Sequence, residues 1–470
     1  MSEIIRKIEE DGMIGMSDIL NDLIHDHKIM HDKMLSNYQR YKGSADPDGV
    51  PIFRRKVEDH VKINSKINNT FDSDIIDVKV GYMLGNPIIY DISDKEYMTG
   101  EEVDVKAKEK DLEVINEFNQ TNNIEDLDSE TLKMASVCAY GSRLLYIDKD
   151  GAQRCMDVNP WECIFVDDGS INEPQYAMRY YEIIDGEDLQ IYVEWYDETT
   201  IYYYISQKNN SKIKVDKLTF EPYSKNGKTE QPHMFEGIPL LKFPNNKEEL
   251  GDCDKVHALI DSYDSTISDA DSEIKQFRLA YMAFYGMVPT PDVIRAAEKT
   301  GAFGMLEGDS IEFITKKIDD AIIEHHLDRI EQNIYRFGKS VNFTDEEFSG
   351  NASGVAMKYK MFGLESKSIS SERKFTASLR QMYKILTTAW KKLGTDIDYK
   401  TIDFIWTRNF PLNLLDESQT AMNLAGLVSK KTLLGLLSFI DDPAAEVEAL
   451  DGEMEALPDL EIEEEIVNEN

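Results

Sequence analysis

Two stretches of this chain place apolar residues at alternating intervals of four and three, with polar residues between them. Val256, Ile260, Tyr263, Ile267, Ala270, Ile274, Phe277 and Tyr281 form the first, and Ile323, Leu327, Ile330, Ile334 and Phe337 the second. That spacing gathers one narrow apolar stripe on each helix, which is a seam for a neighbouring helix. The two form a matched pair, the first running for about 27 residues and about 40 Å at 1.5 Å per residue. Between them lies a compact insert: strand-like Tyr281 to Met287, a short helix opened by Pro289 and Pro291, a turn over Gly301 to Gly304, and strand-like Ile311 to Ile314. Two long helices therefore carry a small α/β lobe at their tip.

The remaining segments surround this stalk. The first sixty residues lean to helix, with Leu20, Leu23, Ile24, His27 and Met30 at helical spacing. Asn64 to Pro87 reads as an amphipathic helix through Ile67, Phe71, Ile75 and Val78, stopped by Gly85-Asn86-Pro87. From Leu132 to Phe243 the pattern turns to short β-prone runs, Arg143–Ile147, Glu162–Val166, Ile191–Tyr196 and Thr200–Ile205, separated by turn residues, which predicts an antiparallel sheet. Its tyrosines suit sheet packing, and a stacking platform for single-stranded nucleic acid is the alternative. A further helix is expected from about Gly354 to Leu393, nearly 60 Å if unbroken, with Gly363 as its kink point. Its second half has a core stripe, Phe375, Leu379, Met382, Leu386, Trp390 and Leu393; its first half carries Lys358, Lys360, Glu365 and Lys367. Ile402 to Trp406 is strand-like, helical segments surround Ser418–Leu427 and Lys431–Phe439, and the thirteen acidic and no basic side chains from Asp441 onward predict a self-repelling tail.

At 470 residues more than one domain is expected. With 41% hydrophobic and 30% charged residues the chain is not disordered throughout, and no apolar run approaches the roughly 20 residues that cross a bilayer. The N-terminal MSEIIRKIEEDGMIGM lacks a signal-peptide layout, so a cytosol-like compartment is expected. Cys138, Cys155, Cys163 and Cys253 have irregular spacing with no C-x-x-C pair, which favours buried free thiols over a disulfide framework or a zinc site. The formal net charge of −37 argues against a protein that grips DNA by neutralising phosphates. A wall that repels phosphates evenly does not trap them, so the same charge suits a conduit for sliding DNA.

Motifs for chemistry are scarce. No G-x-x-x-x-G-K-[ST] loop is present, so any ATP-driven step belongs to a partner. Asp345, Glu346 and Glu347 are adjacent and invite a metal-dependent nuclease reading, but such clusters arise freely among 89 acidic residues. His27 and His31 share a helix face at i and i+4 yet lack the Glu of H-E-x-x-H, and His325-His326 point to different faces. No catalytic residue, metal or cofactor is expected.

Three stretches together resemble the portal proteins of long-tailed bacteriophages: Asn64 to Pro87 with KINNTF and DVKVGYMLGNP, Asn351 to Lys374 (NASGVAMKYKMFGLESKSISSERK), and Asp416 to Glu448 with SQTAMNLAGLVSKKTLL and FIDDPAAEVE. They span nearly the whole chain. The resemblance implies an α+β portal fold with an α/β wing, a two-helix stem, a small α/β clip, a long kinked helix and a helical C-terminal crown. In this chain the expected boundaries are wing 1–250, stem helices 251–282 and 319–338 around clip 283–318, tunnel loop 339–353, a second wing segment 354–412, crown 413–450 and acidic tail 451–470.

The same resemblance implies a non-enzymatic homo-oligomeric ring, commonly of twelve subunits, at one capsid vertex of the virion. Double-stranded DNA would pass through it during packaging and ejection. The expected partners are the terminase large subunit, the major capsid and scaffolding proteins and a head-completion or connector protein, with no membrane. The DNA-facing tunnel loop would be Val341, Asn342, Phe343, Thr344, Asp345, Glu346, Glu347, Phe348, Ser349, Gly350 and Asn351; an ordinary solvated connector is the alternative. Lys316, Lys317, Arg329 and Lys339 are either basic rings in the channel or surface ion pairs with Asp319, Asp320, Asp328 and Glu331. A minor virion component without DNA passage remains the competing function.

Overall fold

The computed structural model describes residues 2–11, 15–43, 64–93, 98–99, 102–103, 105–167, 174–210, 217–277, 281–286, 288–302, 304–314, 320–343, 359–409, 414–435, 437, 440, 446–447 and 449–450. They form an α+β fold in which two units are distinguished, residues 1–342 with 363–408 and residues 343–362 with 409–470.

In the first unit, helices α1 (Ser2–Asp11) and α2 (Met16–Tyr41) cover an antiparallel sheet. Its strands β6 (Cys163–Val166), β7 (Tyr176–Asp185), β8 (Asp188–Tyr196) and β9 (Thr200–Ser206) lie in the order β9-β8-β7-β6, and the short strands β10 (Asn209–Asn210), β11 (Phe220–Pro222) and β12 (Glu230–Pro232) edge it. The period-2 alternation of β8 explains its two faces. Ile191, Val193 and Trp195 pack with Ile19, Leu20 and Leu23 of α2, while Tyr192 on the other face stacks on its register partner Tyr181 with ring centroids 5.6 Å apart. Cross-strand packing, the first of the two readings of the tyrosines, is their observed role.

A second sheet orders β13 (Leu240–Pro244), β4 (Tyr140–Ile147) and β5 (Gln153–Val158). Helix α5 (Ile124–Cys138) turns sharply into β4 through Ala139 at φ 81°, and a Cβ on Gly141 would lie 2.5 Å from the Thr131 carbonyl oxygen, so only glycine fits there. The long helix α9 (Phe362–Lys392) lays Phe375, Leu379, Met382, Leu386 and Trp390 against this sheet, α4 (Val105–Thr121) and the ribbon of β1 (Ile89–Ile92) with β16 (Ile402–Ile405). Leu393, expected in the same stripe, is exposed one residue past the helix. All four cysteines are free and buried.

Helices α6 (His257–Phe277) and α8 (Asp320–Gly338) carry the two stripes and pack together. Val256 and Ile260 share a core with Ile330 and Ile334, which joins the start of one helix to the end of the other and makes them antiparallel. Between them strands β14 (Tyr281–Tyr285) and β15 (Ser310–Ile314) pair around helix α7 (Pro291–Thr300). Tyr281 therefore belongs to a strand and not to the first stripe's helix. Hairpin strands β2 (Met98–Thr99) and β3 (Glu102–Val103) complete the unit's strands among the described residues. In the second unit, α10 (Leu414–Leu424) and α11 (Lys430–Leu434) are the labelled helices, the latter capped by Ser429, whose hydroxyl accepts from Thr432 N–H at 3.2 Å.

The helix expected over 64–87 is shorter. Helix α3 spans Phe71–Leu84, and residues 64–70 instead run along α6. The N–H groups of Ser65, Ile67 and Asn69 donate to Ser272 Oγ (3.0 Å), Ser268 Oγ (2.9 Å) and Asp264 Oδ1 (3.0 Å). Two residues of extended chain cover about 6.7 Å and four residues of helix about 6 Å, so alternate donors meet every fourth residue of α6. These bonds reward extension at Asn68-Asn69, which are weak helix formers, more than one further helical turn would.

Burial pushes the Asp264 carboxyl up to about 6, against the two donors from Asn69. A carboxyl raised on folding stabilises the fold fully below its unfolded value near 4 and loses that contribution as pH rises through about 6. Asp264→Asn keeps an oxygen for both Asn69 donors and removes the buried charge. It should be more stable than the parent at pH 7.5 by about 1 kcal/mol once solvent screening is allowed for, and less stable relative to it at pH 4, measured by urea denaturation.

Candidate functional site

The end of α8 is fixed from several directions. Lys339 adopts φ 52°, and the Ser340 N–H returns to the Tyr335 carbonyl at 3.0 Å, closing the helix with a left-handed cap. Tyr335 donates its hydroxyl to Asp74 of α3 at 2.9 Å, and Phe71 sits edge-on to both Tyr335 and Tyr263. Gly338 lies so close to α3 that a Cβ there would come within 3.2 Å of Ile75 Cδ1. Beyond the cap Val341 is buried, and Asn342 donates back to Glu331 Oε1 at 2.9 Å. The chain that follows thus leaves from a rigid base.

Beneath this base is a buried charge cluster. The wholly buried Lys79 ammonium donates to Asn245 Oδ1 (2.7 Å) and Ser136 Oγ (3.0 Å) and pairs with Asp252 at 3.0 Å. Lys367 of α9 lies 3.5 Å from the same carboxylate and donates to the Gly338 carbonyl at 2.9 Å. Asn245 gives its amide to Asp252 at 3.0 Å and takes the Ser371 hydroxyl at 2.9 Å. Burial opposes ionisation of Asp252, but Lys367 and Lys79 outweigh it and hold that carboxyl well below the usual carboxylate range. Burial, with Lys367 beside it, pushes Lys79 down to about 8. One carboxylate thereby joins α3, α5, the end of β13, α9 and the last turn of α8.

The long helix is held again further along. Arg408 grips Glu365 at 3.1 Å and Glu372 at 2.5 Å, and the Tyr82 hydroxyl donates to Glu365 at 2.7 Å. Glu365 and Lys367, polar residues in the first half of this helix, are anchoring residues.

A profile described as "Phage portal protein, SPP1 Gp6-like" matches residues 20–457. The chain belongs to this phage portal protein family. Among curated relatives, the portal protein of Bacillus phage SPP1 is 24% identical over 423 residues, covering 85% of this chain and 78% of that protein. The portal protein of Clostridium phage phiCD119 is 25% identical over 429 residues, covering 86% and 88%. The portal assignment makes this a capsid component of the virion, a subunit of the channel for DNA packaging and ejection and a docking platform for packaging and tail proteins. Portals are structural proteins, and among the described residues no helix is long and apolar enough to cross a membrane.

Of the residues read as portal sites, Val341, Asn342 and Phe343 are described: the first is buried, the second bonded to Glu331, the third exposed. Thr344, Asp345, Glu346, Glu347, Phe348, Ser349, Gly350 and Asn351 lie outside the described residues, as do Lys316 and Lys317. Arg329 and Lys339 are exposed. Gly363 is the second residue of α9, directly after a turn at Met361. His27 meets the Tyr180 hydroxyl at 3.0 Å, and burial pushes it down to about 4.

The Lys79–Asp252–Lys367 cluster was not read from the sequence. Its available signal was Lys79 four residues from both Ile75 and Met83, a cation on the buried stripe of α3. Lys79→Met leaves Ser136, Asn245 and Asp252 without their shared donor and should cost about 3–5 kcal/mol in chemical denaturation. Lys339→Gly relieves the left-handed backbone and should raise stability by about 0.5–1 kcal/mol. If its charge acts on DNA, that variant should also package less DNA while Lys339→Arg packages normally, as read by nuclease-protected DNA per head.

Proposed function

We propose that twelve copies of the chain close into a ring in which α6 and α8 are the stem, residues 283–318 the clip, residues 339–353 the tunnel loop and residues 413–450 the crown facing the capsid interior. DNA passes through the centre, and the loop from Val341 to Asn351 narrows the channel around it. The observation that supports this most is the pinned base of α8: Gly338 held by Lys367, the left-handed cap at Lys339 and the Asn342–Glu331 bond fix the point from which the loop leaves.

Composition fits that role. Asn342, Thr344, Ser349 and Asn351 offer transient hydrogen bonds, and Asp345, Glu346 and Glu347 discourage phosphate capture, so contacts form and break as DNA slides. The ring is non-enzymatic: the terminase large subunit docks on the clip as motor, and a head-completion or connector protein replaces it there. Major capsid and scaffolding proteins surround the ring as the procapsid assembles in the host cytoplasm.

Deleting residues 342–350 should leave rings that electron microscopy shows with a central hole wide enough for a duplex, while packaged DNA falls at least tenfold. Rings that package and retain DNA normally without this segment would exclude the loop's role and favour a virion component without DNA passage. Failure of the deletion to form rings would make the segment an assembly element.

A further inference from the structure

Helix α9 departs from the charge of the chain that carries it. The chain has 89 acidic and 52 basic residues, whereas α9 holds seven bases and two acids. Both acids, Glu365 and Glu372, are taken by Arg408. At 100° per residue Ser366, Ser370, Arg373, Ala377, Arg380 and Lys384, at alternating intervals of four and three, form a line opposite the buried Phe375, Leu379, Met382 and Leu386. That line is about 27 Å long. Its first five members are exposed and Lys384 is half-buried. No acid of α9 falls on it, and among the described residues neither Arg373 nor Arg380 has a carboxylate at ion-pair distance. Further along, Lys391 pairs with Asp396 at 3.0 Å and Lys392 with Glu236 at 3.3 Å. Two exposed guanidinium groups left unpaired in a chain so rich in carboxylates are open to an anion from outside the subunit.

The chemistry of the line selects between acidic partners. Ala377 is its largest apolar side chain, so it offers no anchor of the kind that a protein partner buries at the centre of an interface. Arginines interspersed with serine hydroxyls are what a phosphate backbone takes, and interfaces with DNA are polar and positive. Arg373 and Arg380 stand about 10.5 Å apart along the axis. A duplex carries a charge for every roughly 1.7 Å of its length, so one lying against the helix presents phosphate to both.

We propose that the Ser366–Lys384 line of α9 binds the phosphate backbone of double-stranded DNA already packaged in the head. Asp345, Glu346 and Glu347 of the loop keep phosphates from being captured; this line has no such acid and holds what it meets. A ring that gripped the sliding duplex in every copy would stall it, so the DNA bound here is at rest. The contact presupposes a DNA-filled head, which the portal family supplies, and depends neither on the loop nor on the number of copies.

The test places a photo-cross-linker on Ala377→Cys in the full-length chain, whose own four cysteines are free and buried. Irradiated full heads should yield subunit joined to DNA, and the yield should rise with the length of DNA packaged. Adding Arg373→Gln and Arg380→Gln should lower it roughly tenfold, while Arg373→Lys with Arg380→Lys keeps it. A yield that is the same in full heads and in heads holding only a short DNA would assign the line to the channel duplex and overturn the inference. Cross-links to protein without DNA would overturn it too, as would a yield that both glutamine substitutions leave unchanged. Loss of rings by electron microscopy in the double glutamine variant would make the line a contact between subunits, which also overturns it.

Discussion

The arrangement depends on one carboxylate kept ionised where water does not reach. Asp252 stands between two ammonium groups from helices far apart in sequence, and its neighbours Asn245 and Ser136 complete the set. An isolated buried charge is intolerable, so Lys79, Asp252 and Lys367 must arrive together. Apolar packing would allow α3, α9 and the loop after β13 to slide by fractions of a turn. Directional bonds to a shared carboxylate do not, and this fixes where the last turn of α8 sits.

From that point the molecule grades outward. In the seam of the paired helices Val256, Ile260, Ile330 and Ile334 are buried, while Ile274 toward the tip and Phe337 at the end of the second stripe are exposed. Residues 64–70 extend the base along α6 by hydrogen bonds to Asp264, Ser268 and Ser272. A subunit firm at one end and exposed at the other is suited to a ring whose neighbours complete its surface.

Much of this was legible in residue spacing. The stripes of α6 and α8, the strand–helix–strand insert and the sheet strands follow from periods of 3.5 and 2, because burying one face is a local requirement that sequence must satisfy. Resemblance supplied the portal family, which spacing alone could not. What escaped was polar. Ile67 keeps the helical period of α3, yet its N–H donates to Ser268, two hundred residues away. Lys367 and Glu365 marked only a polar first half of the long helix in the sequence and are anchors in the fold. Hydrogen bonds and ion pairs are sensitive to distances of tenths of an ångström between distant segments, and no periodicity encodes them.

The sequence by itself determined which faces must be covered and where elements begin and turn, and its resemblance pointed to the portal family. Tertiary structure alone decided which charges are buried together, that residues 64–70 extend along α6, and that α8 ends in a left-handed cap braced by Lys367. The division has a physical cause: hydrophobic burial is set by pattern along the chain, whereas the placement of a charge out of water is decided only by the partners that folding brings to it.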